Sequence, residues 1–420
     1  MHSLHPLLLA TLCLLFLTHC TSDRAPETAE APEDSTPELL PTDRWTYIEI
    51  DSAKAMWGEF DEPEWLRYFG MAAGDLNGDG LLDLVSGRNV YYNPGGGMTG
   101  GWEKVDLGRN VDANLIYHYG NSVRDVDVSG ENVVILAEHL PDVISFRADA
   151  GAEGFAESAE VVAQVPPTGH HNGQGYKIAD VFGGNDVDEV IYASQGGLYV
   201  LDPSTDTPWS VTLVAQDASD EGFGVADMDG DGDQDLISGY RVPGADAEVP
   251  TVVVWWENPG EKRENWTRHD VGRTQFATDR VEAGDLDGDG RPEVVVSEER
   301  YPGEEPDASL FIYSPSDTGF VRTTLVTQYS MNNLALADMD GDGDLDILTA
   351  EHKGPNLSLQ LWKNDGAASF TKEEIDTGKE SHLGVQPYDM DGDGDLDIIS
   401  IGWDKHQFVH LWRNDAVRAK

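Results

Sequence analysis

The chain has 420 residues and carries 27 Lys and Arg against 78 Asp and Glu, a formal net charge of −51. An acid excess of that size excludes nucleic acid and anionic membrane surfaces as partners, because phosphate recognition needs a basic footprint. Hydrophobic residues make up 39% of the chain, enough for a packed core, and the length suits a single ring of repeats better than one ordinary compact domain.

The chain opens with an apolar run, Pro6 to Leu17 (PLLLATLCLLFL). At 12 residues it is too short to span a bilayer, which needs about 20, and suits the core of a secretory signal. Leu17-Thr18-His19-Cys20 is similar to a bacterial lipobox, in which the cysteine is lipidated and becomes the first mature residue. His19 stands where a small residue is usual, and no Lys or Arg precedes the apolar run. Residues 1–20 therefore read as a signal peptide, of lipoprotein type with an anchor at Cys20, or of plain secretory type. Cys13 and Cys20 are the only cysteines, so the body has neither disulfides nor cysteine-based metal chemistry. The stretch 21–43 is rich in Pro, Glu, Ala and Thr with little to bury, and reads as a disordered acidic tether. Both segments predict an exported protein, held at the cell envelope as a lipoprotein or secreted.

From residue 44 to 420 the chain repeats at intervals of roughly 50 residues, the size of a propeller blade. Five units contain a near-identical acidic loop: Asp75-Leu-Asn-Gly-Asp-Gly-Leu-Leu-Asp83, Asp227-Met-Asp-Gly-Asp-Gly-Asp-Gln-Asp235, Asp285-Leu-Asp-Gly-Asp-Gly-Arg-Pro-Glu293, Asp338-Met-Asp-Gly-Asp-Gly-Asp-Leu-Asp346 and Asp389-Met-Asp-Gly-Asp-Gly-Asp-Leu-Asp397. Two degenerate copies lie between the first and second: Asp125-Val-Asp127-Val-Ser129-Gly130, and a stretch from Asp180 through Gly183-Gly184 to Asp188. A short apolar segment enters each loop, as in Phe69-Gly-Met-Ala-Ala-Gly74, and a β-rich strand such as Asp346-Ile-Leu-Thr leaves it. An aromatic strand often ending in Asn follows (Val254-Trp-Trp-Glu-Asn258, Leu361-Trp-Lys-Asn364), then a fourth strand such as Phe370-Thr-Lys-Glu-Glu-Ile375. Four strands per unit, divided by Gly, Pro and Asn turns and lacking any helical period, describe a β-propeller blade. The fold class is all-β, a seven-bladed propeller. The last unit stops at Asn414-Asp415 without its fourth strand, whereas Trp45-Thr-Tyr-Ile-Glu-Ile-Asp51 is a fourth strand without a blade. The segment 45–51 is expected to complete the last blade and close the ring.

In each full loop the side chains at positions 1, 3, 5 and 9 converge on one cation, joined by the backbone carbonyl at position 7. The expected ligands are Asp75, Asn77, Asp79 and Asp83; Asp227, Asp229, Asp231 and Asp235; Asp285, Asp287, Asp289 and Glu293; Asp338, Asp340, Asp342 and Asp346; and Asp389, Asp391, Asp393 and Asp397. An all-oxygen, carboxylate-rich set wrapped by glycines is hard-cation chemistry and favours calcium over magnesium, at about five sites. Without cations, several carboxylates within about 4–6 Å cost several kcal/mol per close pair at an effective dielectric near 20. The loops at Asp125 and Asp180 lack acids at some ligand positions and are weaker candidates.

The acidic loops, the Phe69-Gly70 entry and the aromatic-Asn strands together resemble FG-GAP/VCBS repeats, which form the headpiece propeller of integrin α chains and occur in many bacterial surface proteins. The resemblance covers residues from about 45 to 415 and implies a calcium-binding propeller. It leaves function open, since such propellers host adhesion and glycan-binding modules and are related to some polysaccharide lyases and a sugar dehydratase.

A possible reaction site is the channel mouth, where His118, His170, His171, Arg280 and His382 could converge, with Arg280 gripping the carboxylate of a sugar acid. Trp255, Trp256, Trp362, Trp403 and Trp412 could stack on sugars, but their recurrence in the third strand reads as blade packing. The expected function is a monomeric surface module binding a glycan or a surface protein. The alternative is a carbohydrate-active enzyme of lyase or dehydratase type.

Overall fold

The computed structural model describes residues 45–54, 68–119, 132–168, 173–184, 187–243, 251–260, 263, 265–301, 303–379, 383–402 and 407–416. The leader with Cys13 and Cys20, the tether, the loop at Asp125, and His170, His171, His382 and Trp403 lie outside the described residues.

Seven antiparallel four-stranded sheets follow one another along the chain as blades 1 to 7. Their first strands are Met71–Gly74, Asp112–His118, Tyr176–Ala179, Gly224–Ala226, Ala277–Gly284, Met331–Ala337 and Leu383–Tyr388. Most neighbouring first strands touch one another, and together they form the inner wall of the ring. Second strands are apolar and β-branched. Glu293–Glu299 and Asp346–Glu351 are buried almost throughout, because both faces of a blade's middle pack against neighbouring blades. Fourth strands such as Phe370–Asp376 lie at the rim and carry exposed polar residues. The one described α-helix, Gly151–Ser158, joins the third and fourth strands of blade 2 and tucks Phe155 into the core. No helix among the described residues is long and apolar enough to cross a membrane.

The core consists of layers between adjacent blades. Val85, Val90 and Val105 of blade 1 meet Ile135 and Phe146 of blade 2 in one of them. The described tryptophans serve this packing: Trp255, Trp256, Trp362 and Trp412 are all buried. Blade 7 is completed as expected. Trp45–Asp51 pairs antiparallel with Val409–Asn414, Trp45 opposite Asn414 and Ile48 opposite Leu411. The first and last parts of the chain thus share one sheet, and neither edge of blade 7 is left as the end of an open array.

The Asn ending several third strands rivets one blade to the next. Asn93 donates from Nδ2 to Met390 O (2.9 Å), Asn258 to Val181 O (2.5 Å) and Asn364 to Leu286 O (2.8 Å), each carbonyl belonging to the loop of the preceding blade. The same amide reaches the carbonyl before its own blade's ninth acid: Leu82, Gln234 and Leu345. Asn414 differs, since its buried Nδ2 meets no acceptor. Asn364→Ala is therefore expected to destabilise the fold by about 1–3 kcal/mol, and Asn414→Ala by clearly less. Thermal melts of the two variants in parallel check the difference.

Candidate metal centres and channel mouth

Each full loop is wound by hydrogen bonds that its own acids accept. The first Asp takes the N–H of the fourth residue on one oxygen and of the sixth on the other: Asp227 with Gly230 (2.7 Å) and Gly232 (3.0 Å), Asp338 with Gly341 (2.7 Å) and Gly343 (3.0 Å). The loops at Asp75, Asp285 and Asp389 repeat the pattern. Both of these residues must be glycine, because φ lies between +74° and +98° at all ten positions. The fifth residue's N–H turns back to the third side chain, as in Asp79 N to Asn77 Oδ1 at 2.9 Å. This winding turns the acids toward one centre. Among the described residues, carboxylate oxygens within 4.8 Å of one another come from Asp227, Asp229 and Asp235; Asp285, Asp287 and Asp289; Asp338, Asp340 and Asp346; and Asp389, Asp391 and Asp397.

The ninth acid has a second duty. Its carboxylate accepts the N–H of the loop's second residue and the N–H of the strand-ending Asn. Asp83 does so with Leu76 (3.0 Å) and Asn93 (2.9 Å), Asp346 with Met339 (3.0 Å) and Asn364 (2.8 Å), and Asp397 with Met390 and Asn414 (both 2.8 Å). Burial pushes these carboxyls up, to about 7 for Asp83, Asp235 and Asp346 and about 8 for Asp397. Neighbouring loop carboxylates add to the rise and the backbone donors oppose it. In blades 3 and 5 the acid in this role is a glutamate, Glu189 or Glu293, and one oxygen of each meets no donor. The strand register explains this. Val190 pairs with Leu201 and Val294 with Tyr313, which puts Pro203 and Pro315 where the other blades carry Asn. Proline has no N–H to offer.

The donor sets fit a hard divalent cation. They hold oxygen only, and three carboxylates converge in each of the blade-4, blade-6 and blade-7 triplets. Lys363 near Asp340 and Arg413 near Asp391 offset only part of that charge, and Oδ1 of the buried Asp340 has no hydrogen-bond donor. Blade 5 is a variant, with Arg291 paired to Asp289 at 2.6 Å and Glu293 outside the triplet.

The loop starting at Asp180 keeps the winding but not the acids. Gly183 N reaches Asp180 Oδ1 at 2.9 Å, while Phe182 and Gly184 occupy the third and fifth positions. The sequence pointed to Asp188 as its last acid. The structure corrects this to Glu189, whose carboxylate accepts Val181 N and Phe182 N (3.0 Å each), because the loop is one residue longer than the others. Beside it, Arg263 of blade 4 pairs with the buried Asp202 at 2.5 Å and lies over the Phe182 ring, 4.5 Å from its centroid.

At the other end of the inner strands, the histidine-arginine constellation does not assemble from its described members. His118 stands at the end of its inner strand, opposite Val133 on the acidic-loop side. Arg280 lies nearer the opposite mouth and pairs with Ser297. Its guanidinium lines the channel cavity and is already held by protein groups. It contacts Glu221 (3.2 Å) and Asp279 (3.5 Å) and donates to Gln174 (3.3 Å). Burial pushes the Glu221 and Asp279 carboxyls up, against the pull of Arg280. Asn332 donates to Asp279 (3.2 Å), and Glu299 pairs with Lys353 (2.6 Å), which holds its carboxyl low against the effect of burial. A cavity of about 410 Å³ runs along the channel, lined among others by Gln174, Lys177, Arg280, Glu282 and Gln386. Lys177 of blade 3 and Glu282 of blade 5 join across it at 2.7 Å, an ion pair that sequence spacing gave no means of foreseeing.

Residues 338–400 match the model of the FG-GAP-like repeat. With its seven four-stranded blades closed by an N-terminal strand, the chain is a seven-bladed β-propeller that carries an FG-GAP-like repeat at 338–400. No curated protein matches it. A similar solved structure is that of an Agrocybe aegerita lectin, described as recognising non-reducing terminal N-acetylglucosamine. It is 17% identical, covers 75% of this chain and 82% of that one, and has a TM-score of 0.47.

Proposed function

We propose that this chain is an exported, calcium-stabilised propeller that acts as a binding module for a glycan or a surface protein. The observation that carries the calcium reading is the convergence of three carboxylates within 4.8 Å in loops wound by two positive-φ glycines each. Calcium would be held by positions 1, 3, 5 and 9 of the five full loops, and its part is to neutralise charge there, not to switch. The binding reading is preferred to catalysis because Arg280 is committed to Glu221, Asp279 and Gln174, and His118 sits at the far end of its strand. Export, and anchoring through Cys20, belong to the same proposal and rest on the apolar leader.

Elemental analysis of the purified chain tests the calcium part. About five calcium ions are expected, one per full loop, and Asp340→Ala should lose one of them. A chain that retains none from calcium-containing buffer would end the calcium reading. Turnover of a polysaccharide, seen without stable binding to any immobilised glycan or protein, would favour the enzyme instead.

A further inference from the structure

On the face opposite the acidic loops, the second-to-third-strand hairpin of blade 5 carries Tyr301, which is 87% exposed. No other described large hydrophobic side chain approaches that value. The ring does not hang free. Lys353 of blade 6 places its Nζ 5.4 Å from the ring centroid, and the same ammonium pairs with Glu299 at 2.6 Å. The Lys353 stem lies so close to Gly303 that a Cβ there would sit 2.5 Å from Lys353 Cδ. The hairpin is also tied at its base, where Arg300 pairs with Glu305 and Asp307, both at 2.6 Å, and donates its backbone N–H to Ser330 Oγ at 2.8 Å. A large aromatic is thus held over a cation with most of its surface open to solvent.

Such an exposed, braced ring is a stacking platform. The C–H face of a pyranose suits it, because a sugar offers an apolar face for stacking and hydroxyls for the polar groups around it. Those groups are Glu299, Glu305 and Asp307 as acceptors and Lys353 as a donor. The charge around the ring selects among sugars. Three carboxylates face two cations at the platform, and behind it Glu221 and Asp279 outnumber Arg280. An acidic sugar would meet net repulsion there, whereas hydroxyl or ammonium hydrogens would meet acceptors.

We infer that the blade-5 and blade-6 hairpins form a sugar-binding site for a neutral or amino sugar, with Tyr301 as its platform and Lys353 as its brace. This rests on the binding-module reading and narrows it to one place and one class of ligand. The test is binding of the wild-type chain, Tyr301→Phe, Tyr301→Ala and Lys353→Ala, in calcium-containing buffer, to immobilised neutral, amino and uronic-acid oligosaccharides. The wild type and Tyr301→Phe should bind neutral or amino glycans. Tyr301→Ala should lose at least about tenfold in affinity with an unchanged melting temperature, since so exposed a side chain adds little to folding, and Lys353→Ala should weaken binding as well. Equal binding by Tyr301→Ala would overturn the platform and leave the binding module standing. Preference for uronic-acid glycans would overturn the charge argument. Binding to no glycan would overturn the site altogether and leave the module only a protein partner.

Discussion

Chelating calcium from the folded chain is expected to lower its melting temperature by about 3–9 °C at pH 7.5, and by much less at pH 5. The size follows from mass action: millimolar calcium on a site with a dissociation constant of about 10⁻⁴–10⁻³ M stabilises by roughly 0.4–1.4 kcal/mol, and five such sites by about 2–7 kcal/mol. A chain of this length shifts its midpoint by a little over about 1 °C per kcal/mol. The pH dependence follows from the ninth acids. Burial raises Asp83, Asp235 and Asp346 to about 7 and Asp397 to about 8 in the folded chain without cations, while in the unfolded chain they ionise in the ordinary range near 4. Between those limits the folded state binds more protons than the unfolded state. The stability of the calcium-free fold therefore falls as pH rises from about 4 to about 8 and is highest at the acid end. Calcium needs the ionised carboxylates and competes with those protons, so its benefit grows over the same window. Scanning calorimetry with and without chelator at pH 5, 6.5 and 8 reads both effects, and an equal calcium effect at pH 5 and pH 8 would refute the account.

Removing the closing strand should have the larger consequence. A chain starting at residue 55 lacks Trp45–Asp51 and is expected to lose its cooperative melt and to aggregate. The strand supplies the whole outer edge of blade 7, and its side chains make contacts both within that blade and beyond it. Trp45 donates to Glu373 of blade 6 at 3.2 Å, and the Tyr47 hydroxyl meets His410 Nδ1 at 2.9 Å. His410 is buried there and its imidazole is pushed down to about 4, by burial first and the nearby Lys379 second. Removing the strand therefore uncovers a neutral, packed histidine together with Trp412 and Leu411. Truncating Ile48 to Ala is expected to cost about 2–5 kcal/mol, and losing the entire strand more, out of a typical stability of about 5–15 kcal/mol. A synthetic peptide of residues 44–54 added in trans should restore a cooperative transition. If the truncated chain melts like the full-length one, the ring does not depend on this closure.

Much of this fold was legible in the residues because its information is local or periodic. An acidic loop is nine residues long, and its winding depends on contacts three to five positions apart. Aspartates and glycines at fixed spacing therefore announce both the turn and its convergent carboxylates, as at Asp338–Asp346. The repeat interval fixed the blade count, and a surplus fourth strand at 45–51 against a missing one after Asn414 left ring closure as the consistent arrangement. The paired exchange of Asp for Glu and of Asn for Pro, at Glu189 with Pro203 and at Glu293 with Pro315, was also present in the letters. It acquired meaning only once the strand register placed the two residues together.

The channel mouth depended on the tertiary structure. Glu221 and Arg280 are 59 residues apart and Gln174 and Arg280 are 106 apart, about one repeat and two, and the repeat alone does not say which of these side chains meet. They meet because first strands from successive blades are packed round one channel, and the depth at which each side chain enters is set by bulges such as that between Thr278 and Arg280. The same packing turned Arg280 from a candidate ligand anchor into the countercharge of buried carboxylates, and carried His118 to the opposite end. Tyr301 gave no signal in sequence, where an aromatic in a hairpin reads as core or surface alike. Its exposure and its brace by Lys353, 52 residues further along, exist only when blades 5 and 6 stand side by side.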